Sequence, residues 1–322
     1  MMSRLFIYAC VLLVSSGCFL LPKKEGSEGT LGPWPGVLPP EAAATQTGAN
    51  CSSQAGFDAD SLFMEYHGEE FAFDDAGALV TVSDWAGGAY RWSDDSWEQL
   101  APFQSDEIAG LDFLMNGDLI FADEGAGALV SMTPQGGIET VLGSINSPNS
   151  LAVRHTGQIF STDYDAILRI DPDSGEWAEI VAFPGNDLDG LVFSPNGEYL
   201  YFNIDATGEI YRTKLDEDGR ELDTELIEVL DLTSGYQELN GMAMDLCGNL
   251  YALRTDGRVS RLRADGTLER NFFTVEGSPY TTALHFGSGI GEWRADHLYI
   301  MDRNGVLTDV PVGIDGAPEP HL

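Results

Sequence analysis

The stretch DLDGLVFSPNGEYLYF, residues 187–202, reads as an apolar strand, a tight turn at Pro195-Asn196-Gly197 and a second apolar strand. Its oddity is Asp189, a carboxylate placed where the first strand begins. Five similar hairpins occur: EEFAFDDAGALVTVSD from Glu69, AGLDFLMNGDLIFAD from Ala109, NSLAVRHTGQIFSTD from Asn149, NGMAMDLCGNLYALR from Asn240 and TALHFGSGIGEWRADHLYIMD from Thr282. With the Asp189 hairpin in its place, the starts are separated by 40, 40, 40, 51 and 42 residues. A third strand follows every hairpin (GAYRW, GALVSM, AILRID, GEIYRT, GRVSRL, GVLTDV). A fourth follows in five of the six units (WEQLAPF, IETVLGS, WAEIVAF, ELIEVLDL, LERNFFT). Four short strands repeated at this spacing, with no helical periodicity, predict an all-β six-bladed propeller of four-stranded antiparallel blades. The sixth unit lacks its fourth strand. SLFMEYH, Ser61–His67, lies ahead of the first blade and is expected to pair with GVLTDV, so that no sheet edge stays open.

Hydrophobic residues make up 43% of the 322 and aromatics 10%, enough for a sizeable core. The formal net charge is -36, from 52 acidic and 16 basic residues. Such a surface repels nucleic acid and anionic lipid, which excludes both as partners, and it attracts divalent cations. Solubility is the plainer account of the acidity.

The first residues read as a targeting segment. Arg4 precedes the apolar run LFIYACVLLVSS, and VSSGC places small residues before Cys18. This looks like a bacterial lipoprotein signal over residues 1–17, with Cys18 lipidated and an outer-membrane anchor favoured because Phe19 is not Asp. An ordinary secretory signal is the alternative. Residues 18–50, rich in Gly, Pro, Ala, Ser and Thr, read as a flexible tether, and 51–322 as the propeller. With Cys18 carrying lipid in an oxidising compartment, Cys51 and Cys247 remain and are expected to form a disulfide.

DGLVFSPNGEYLYFN, the long hairpin IYRTKLDEDGRELDTELIEVLDL and LNGMAMDLCGNLYAL resemble, in that order, segments of the senescence-marker-protein/gluconolactonase family, which includes regucalcin. The resemblance covers roughly residues 69–253. It implies a divalent metal on the propeller axis, often calcium, held by the first residues of inner strands. On this chain those are Glu69, Asn149, Asp189 and Asn240, all oxygen donors suited to a hard cation. Ala109 and Thr282 hold the other two starts. Polar starts can equally hydrate a channel or cap turns.

The chain departs from the family pattern at informative places. The family's fourth- and fifth-blade residues are typically Asn and then Asp; here they are Asp189 and Asn240. An amide cannot take a proton near neutral pH, so the work of a general base falls to Asp189 or is lost. Ser147 stands where the sugar-lactone enzymes often carry Arg, and Glu70-Phe71 stands where Gly-Pro usually follows the first-blade Glu. His67 and His155 near the strand starts could act as bases, though turn roles are the plainer reading. DWAGGAYRWSDDSW offers aromatic surface for a sugar or for blade packing, and DEDGRELD reads as a hairpin tip.

Two functions stay open: a metal-dependent hydrolase of lactones or related esters, with Asp189 as its catalytic carboxylate, and a non-catalytic scaffold binding a protein or glycan at the cell envelope. A monomer is expected in either case.

Overall fold

The computed structural model describes residues 51, 59–63, 68–83, 87–93, 96–105, 107–232, 238–276 and 280–322. The leader, the tether, Cys18 and His67 lie outside the described residues. Every sheet is a four-stranded antiparallel blade, and there are six. Blade 1 holds Phe71–Phe73, Leu79–Ser83, Gly88–Ser93 and Ser96–Pro102; blade 2 holds Ile108–Phe113, Leu119–Asp123, Ala128–Met132 and Ile138–Gly143. Blade 3 holds Leu151–Val153, Ile159–Asp163, Ala166–Ile170 and Trp177–Ala182; blade 4 holds Leu188–Phe193, Tyr199–Ile204, Glu209–Leu215 and Glu221–Val229. Blade 5 holds Leu239–Met244, Leu250–Arg254, Arg258–Leu262 and Leu268–Thr274. Blade 6 holds Thr281–Phe286, His297–Asp302, Val306–Pro311 and, from far upstream, Asp60–Phe63.

The first strand of each blade touches the first strands of both neighbouring blades, and this ring closes from blade 6 back to blade 1. These strands therefore wall a central channel. The turns that build the first hairpins are alike in blades 1 to 5. Gly77, Gly117, Gly157, Gly197 and Gly248 donate their N–H three residues back, to Asp74, Leu114, Arg154, Ser194 and Asp245, at 2.7–2.9 Å. Gly197 adopts a φ of 66°, the left-handed conformation that closes such a turn without a Cβ penalty.

Apolar residues collect in the seams between blades. Val80 and Val82 of blade 1 meet Leu119 and Phe121 of blade 2, and Phe71 and Phe73 of blade 1 meet Tyr299 and Met301 of blade 6. Trp92 and Trp97 pack on that last seam, with ring centroids 5.2 Å apart, so these two indoles serve blade packing. DEDGRELD is the tip of the long blade 4 hairpin, with Gly219 at a φ of 74°.

Closure occurs as the strand count requires. Asp60 pairs with Asp309 and Phe63 with Val306. The pairing strand is Asp60–Phe63 rather than all of Ser61–His67, whose last four residues lie outside the described residues. A disulfide joins Cys51 to Cys247 across 196 residues, with Cα atoms 5.8 Å apart. It ties the chain ahead of the closing strand to the first turn of blade 5. Beyond the last strand the chain runs back across the ring: Leu246 donates to Asp315 O at 2.9 Å, Ala317 to Met244 O at 2.8 Å, and the His321 ring nitrogen to Phe73 O at 2.6 Å.

Candidate functional site in the central channel

All four predicted ligand residues line one cavity of about 160 Å³ at the leading ends of the inner strands. Asp189 and Asn240 are the second residues of the blade 4 and blade 5 inner strands, and Glu69 and Asn149 stand two residues ahead of those in blades 1 and 3. Local irregularities shape this end. In blade 4 Asp189 pairs with Asn203 and Leu191 with Phe202, so Gly190 is an extra residue. In blade 5 the extra residue is Asn240, in blade 6 it is Thr282, and blade 2 slips at Ala109-Gly110. A bulge re-aims side chains locally, and four of the six inner strands carry one at the same place. Gly190 is demanded there. Its φ is 51°, and a Cβ would meet Asn203 Oδ1 at 2.3 Å.

Asp189 is 7% exposed. Its Oδ1 accepts the Gly190 N–H at 2.6 Å. Burial pushes its carboxyl up to about 7 against that hydrogen bond, helped by the carboxylates of Glu70, Asp187 and Glu69. The Asn240 amide nitrogen donates to Thr281 O at 3.0 Å, which leaves its oxygen as the atom available to a ligand. Glu69 Oε1 lies 2.8 Å from an Arg303 guanidinium nitrogen, and Arg303 stacks on the Tyr280 ring at 4.2 Å. Tyr280 in turn donates to Glu238 at 3.2 Å, and burial with that neighbour raises its hydroxyl to about 12.

The donor set therefore fits a hard cation in its chemistry: two carboxylates, two amides and no soft ligand around one cavity. Among the described residues no three His, Cys, Asp or Glu converge as a metal cluster, in keeping with a set that is half amide. The same cavity is lined by groups that sequence reasoning missed, namely Glu70, Glu107, Glu124, Asp205, Glu238, Tyr280, His285 and Arg303. A signal was present for three of them. Glu107, Glu238 and Tyr280 stand two residues ahead of Ala109, Asn240 and Thr282, and a strand's period of two returns them to the same side. Asp205 and Arg303 follow the ends of second strands, where no repeat pattern marks them. Ser147, with a φ of 94°, donates to Glu124 through its hydroxyl.

Asp205 has a carboxylate oxygen that is buried and without a hydrogen-bond partner. Burial raises its carboxyl to about 8, with Asp189, Glu238 and Asp187 adding to the rise. At the trailing ends of the inner strands a second cavity, of about 100 Å³, is lined by Phe73, Val153, His155, Phe193, Phe286 and the returning Pro318-Glu319-Pro320. His155 is exposed in its turn and does not reach the ligand set. Between the two cavities stands His285, which shares a 3.1 Å hydrogen bond with Glu70. Burial opposes charge on His285, but Glu70, Glu319 and Asp112 carry it up to about 9.

Residues 161–301 match the family model described as the SMP-30/Gluconolactonase/LRE-like region. A 6-deoxy-6-sulfogluconolactonase of Pseudomonas putida is 26% identical over 163 residues, 48% of this chain and 55% of that protein, so the match spans about half the length of that relative. A gluconolactonase of Xanthomonas campestris superposes with a TM-score of 0.67 at 20% identity, covering 83% of this chain and 93% of its own. A calcium-binding regucalcin of Agrobacterium tumefaciens gives 0.62 at 16% identity, covering 80% and 94%. At these identities the two structures establish the shared fold alone, a six-bladed propeller.

Proposed function

We propose that the chain hydrolyses a lactone or related ester in the cavity at the leading ends of the inner strands, using a divalent cation, calcium foremost. The observation that carries this reading is convergence. Glu69, Asn149, Asp189 and Asn240 come from four blades, and all line one cavity. The match to the gluconolactonase-like region over 161–301 supports the lactone chemistry. When bound, a cation would polarise the acyl carbonyl and lower the pKa of a water. Glu69 and Asp189 would supply its charge and Asn149 and Asn240 neutral oxygens. Asp189 takes the proton of the attacking water as its oxygen bonds to the acyl carbon, and the ring C–O bond then breaks to give the alcohol and the carboxylate. A bound cation would hold Asp189 ionised, the state in which it can accept that proton. Asn240 holds and orients only.

The chain is proposed to work at the bacterial envelope, tethered to the outer membrane through Cys18. Asn240 in place of a carboxylate is the observation that favours the other reading, a scaffold for an envelope protein or glycan. A lactone panel with and without calcium on chelator-treated protein decides between them. Calcium-dependent hydrolysis that Asp189→Asn abolishes is expected; inactivity on every lactone with every divalent cation refutes the hydrolase.

A further inference from the structure

Resting on that hydrolase reading, we infer that Tyr164 determines specificity: its side chain is a platform at the rim of the cavity on which a ring of the substrate stacks, either an aryl ring or the apolar face of a hydroxylated one. The placement comes from the repeat. One turn in each blade joins the second strand to the third. Among the described residues its first position is held by Glu124, Tyr164, Asp205, Thr255 and Arg303 in blades 2 to 6. Glu124, Asp205 and Arg303 line the cavity of the proposed ligands, and Thr255 is buried. Tyr164 is fixed by the backbone bond that fixes its counterparts. Its N–H donates to Ser147 O at 3.3 Å, as Asp205 donates to Asp187 O, Thr255 to Glu238 O and Arg303 to Tyr280 O, each at 3.0 Å. Every acceptor stands two residues ahead of an inner-strand start. The Tyr164 carbonyl in turn accepts the Leu188 N–H at 2.8 Å. Its main chain is thus pinned to the residues just ahead of Asn149 and Asp189, on the rim between two of the proposed ligands.

Two further observations single out the side chain. The first is strain. Blades 1, 2, 4, 5 and 6 each carry a glycine of positive φ in this turn: Gly87, Gly127, Gly208, Gly257 and Gly305, at 62–82°. In blade 3 the turn is only Tyr164-Asp165, and Tyr164 itself takes a φ of 46°. A bulky residue is strained there, whereas Gly or Asn would hold the same turn without that strain. The second is the absence of any return within the fold. Tyr164 is 39% exposed, and among the described residues its ring enters no aromatic contact and its hydroxyl no hydrogen bond. A tyrosine that only closed a hairpin would be a poor choice for the position. An open aromatic face on the rim of a ligand cavity accounts for both the residue type and the strain.

The test is calorimetric binding, to the full chain in calcium, of three uncleavable probes: a phenyl-substituted lactam, a polyhydroxylated lactam and an acyclic amide of matching size. At least one ring probe is expected to bind about tenfold more tightly than the acyclic amide, the size of one aromatic stacking contact, and the tighter of the two names the ring. Tyr164→Phe should keep that preference and Tyr164→Asn should erase it. Because Asn accepts the left-handed conformation, Tyr164→Asn should melt no lower than the parent, which separates lost stacking from lost folding. Equal binding of ring and acyclic probes, no binding of any probe, a preference that survives Tyr164→Asn or is lost in Tyr164→Phe, or a Tyr164→Asn variant that melts several degrees lower overturns the inference. A Tyr164-dependent ring preference without hydrolysis of the matching lactones upholds the platform and removes the hydrolase alone. Calcium-dependent hydrolysis that Tyr164→Asn leaves unchanged for cyclic and acyclic esters alike does the reverse.

Discussion

Replacing Asp189 by Asn should make the metal-free protein more stable at alkaline pH, which is the opposite of what removing a structural carboxylate does. The carboxyl is 7% exposed and titrates at about 7 in the fold, whereas an aspartate in an unfolded chain titrates near about 3.9. Between those values the unfolded chain ionises and the folded one does not. Stability therefore falls as pH rises through that window, and the loss is complete above about 7. The difference amounts to roughly 4 kcal/mol. At 2–4 °C per kcal/mol for a chain of this size, that is on the order of 10 °C in melting temperature. Asn keeps an oxygen for the Gly190 N–H and removes the ionisation. Chelator-treated parent and variant should melt alike near pH 4 and diverge by pH 8, with the variant higher. Calcium should raise the parent at pH 8 by mass action and leave the variant nearly unmoved. A variant that melts below the parent at pH 8 in chelator would show that the fold itself uses the Asp189 charge, and the metal reading would fall with it.

Reducing the Cys51–Cys247 disulfide, or changing Cys247 to Ser, should cost about 5 kcal/mol in the chain-entropy account of a loop of 196 residues; a melting shift under about 2 °C in non-reducing against reducing buffer would contradict it. In a Cys247→Ser background, where the disulfide is already lost, deleting residues 1–67 removes Asp60–Phe63 and bares Val306–Pro311, so aggregation or a broad early transition beyond that of Cys247→Ser alone is expected by light scattering, whereas deleting 1–50 from the parent should leave the melt unchanged. His285 titrates at about 9 in the fold, so its charge favours the folded state fully below about 6.5, the unfolded value, and the benefit is lost as pH rises through 9. His285→Gln should flatten the stability profile over that interval, and an unchanged profile would discount the His285–Glu70 pair.

The fold was legible because its determinants are local and repeated. A turn glycine, an apolar strand on either side and a spacing near 40 residues recur often enough to count. The closing strand was legible by subtraction, since the last unit was one strand short, and the disulfide by elimination among four cysteines. That four polar strand starts line one cavity was legible from their aligned positions. What the repeat could not give was anything outside its own phase. Arg303 and Asp205 enter the cavity from the ends of second strands, and the returning segment places Glu319 at the opposite cavity through contacts hundreds of residues apart in sequence. Ionisation was also hidden. Asp189 and Asp205 titrate high because of what surrounds them in three dimensions, which residue identity does not encode.

The extra residues in the inner strands bear on how such a site changes over generations. Asn240 and Thr282 lie outside the ladder register, and Gly190 absorbs the slip beside Asp189. A side chain on such an extra residue can be exchanged without any ladder pair being re-formed, so the strand pairing does not depend on which polar group stands at 240 or 282. Asn240 can be exchanged for another polar residue with the pairing of its blade intact. Selection can thus rewrite the chemistry of the channel while the ring around it stays fixed.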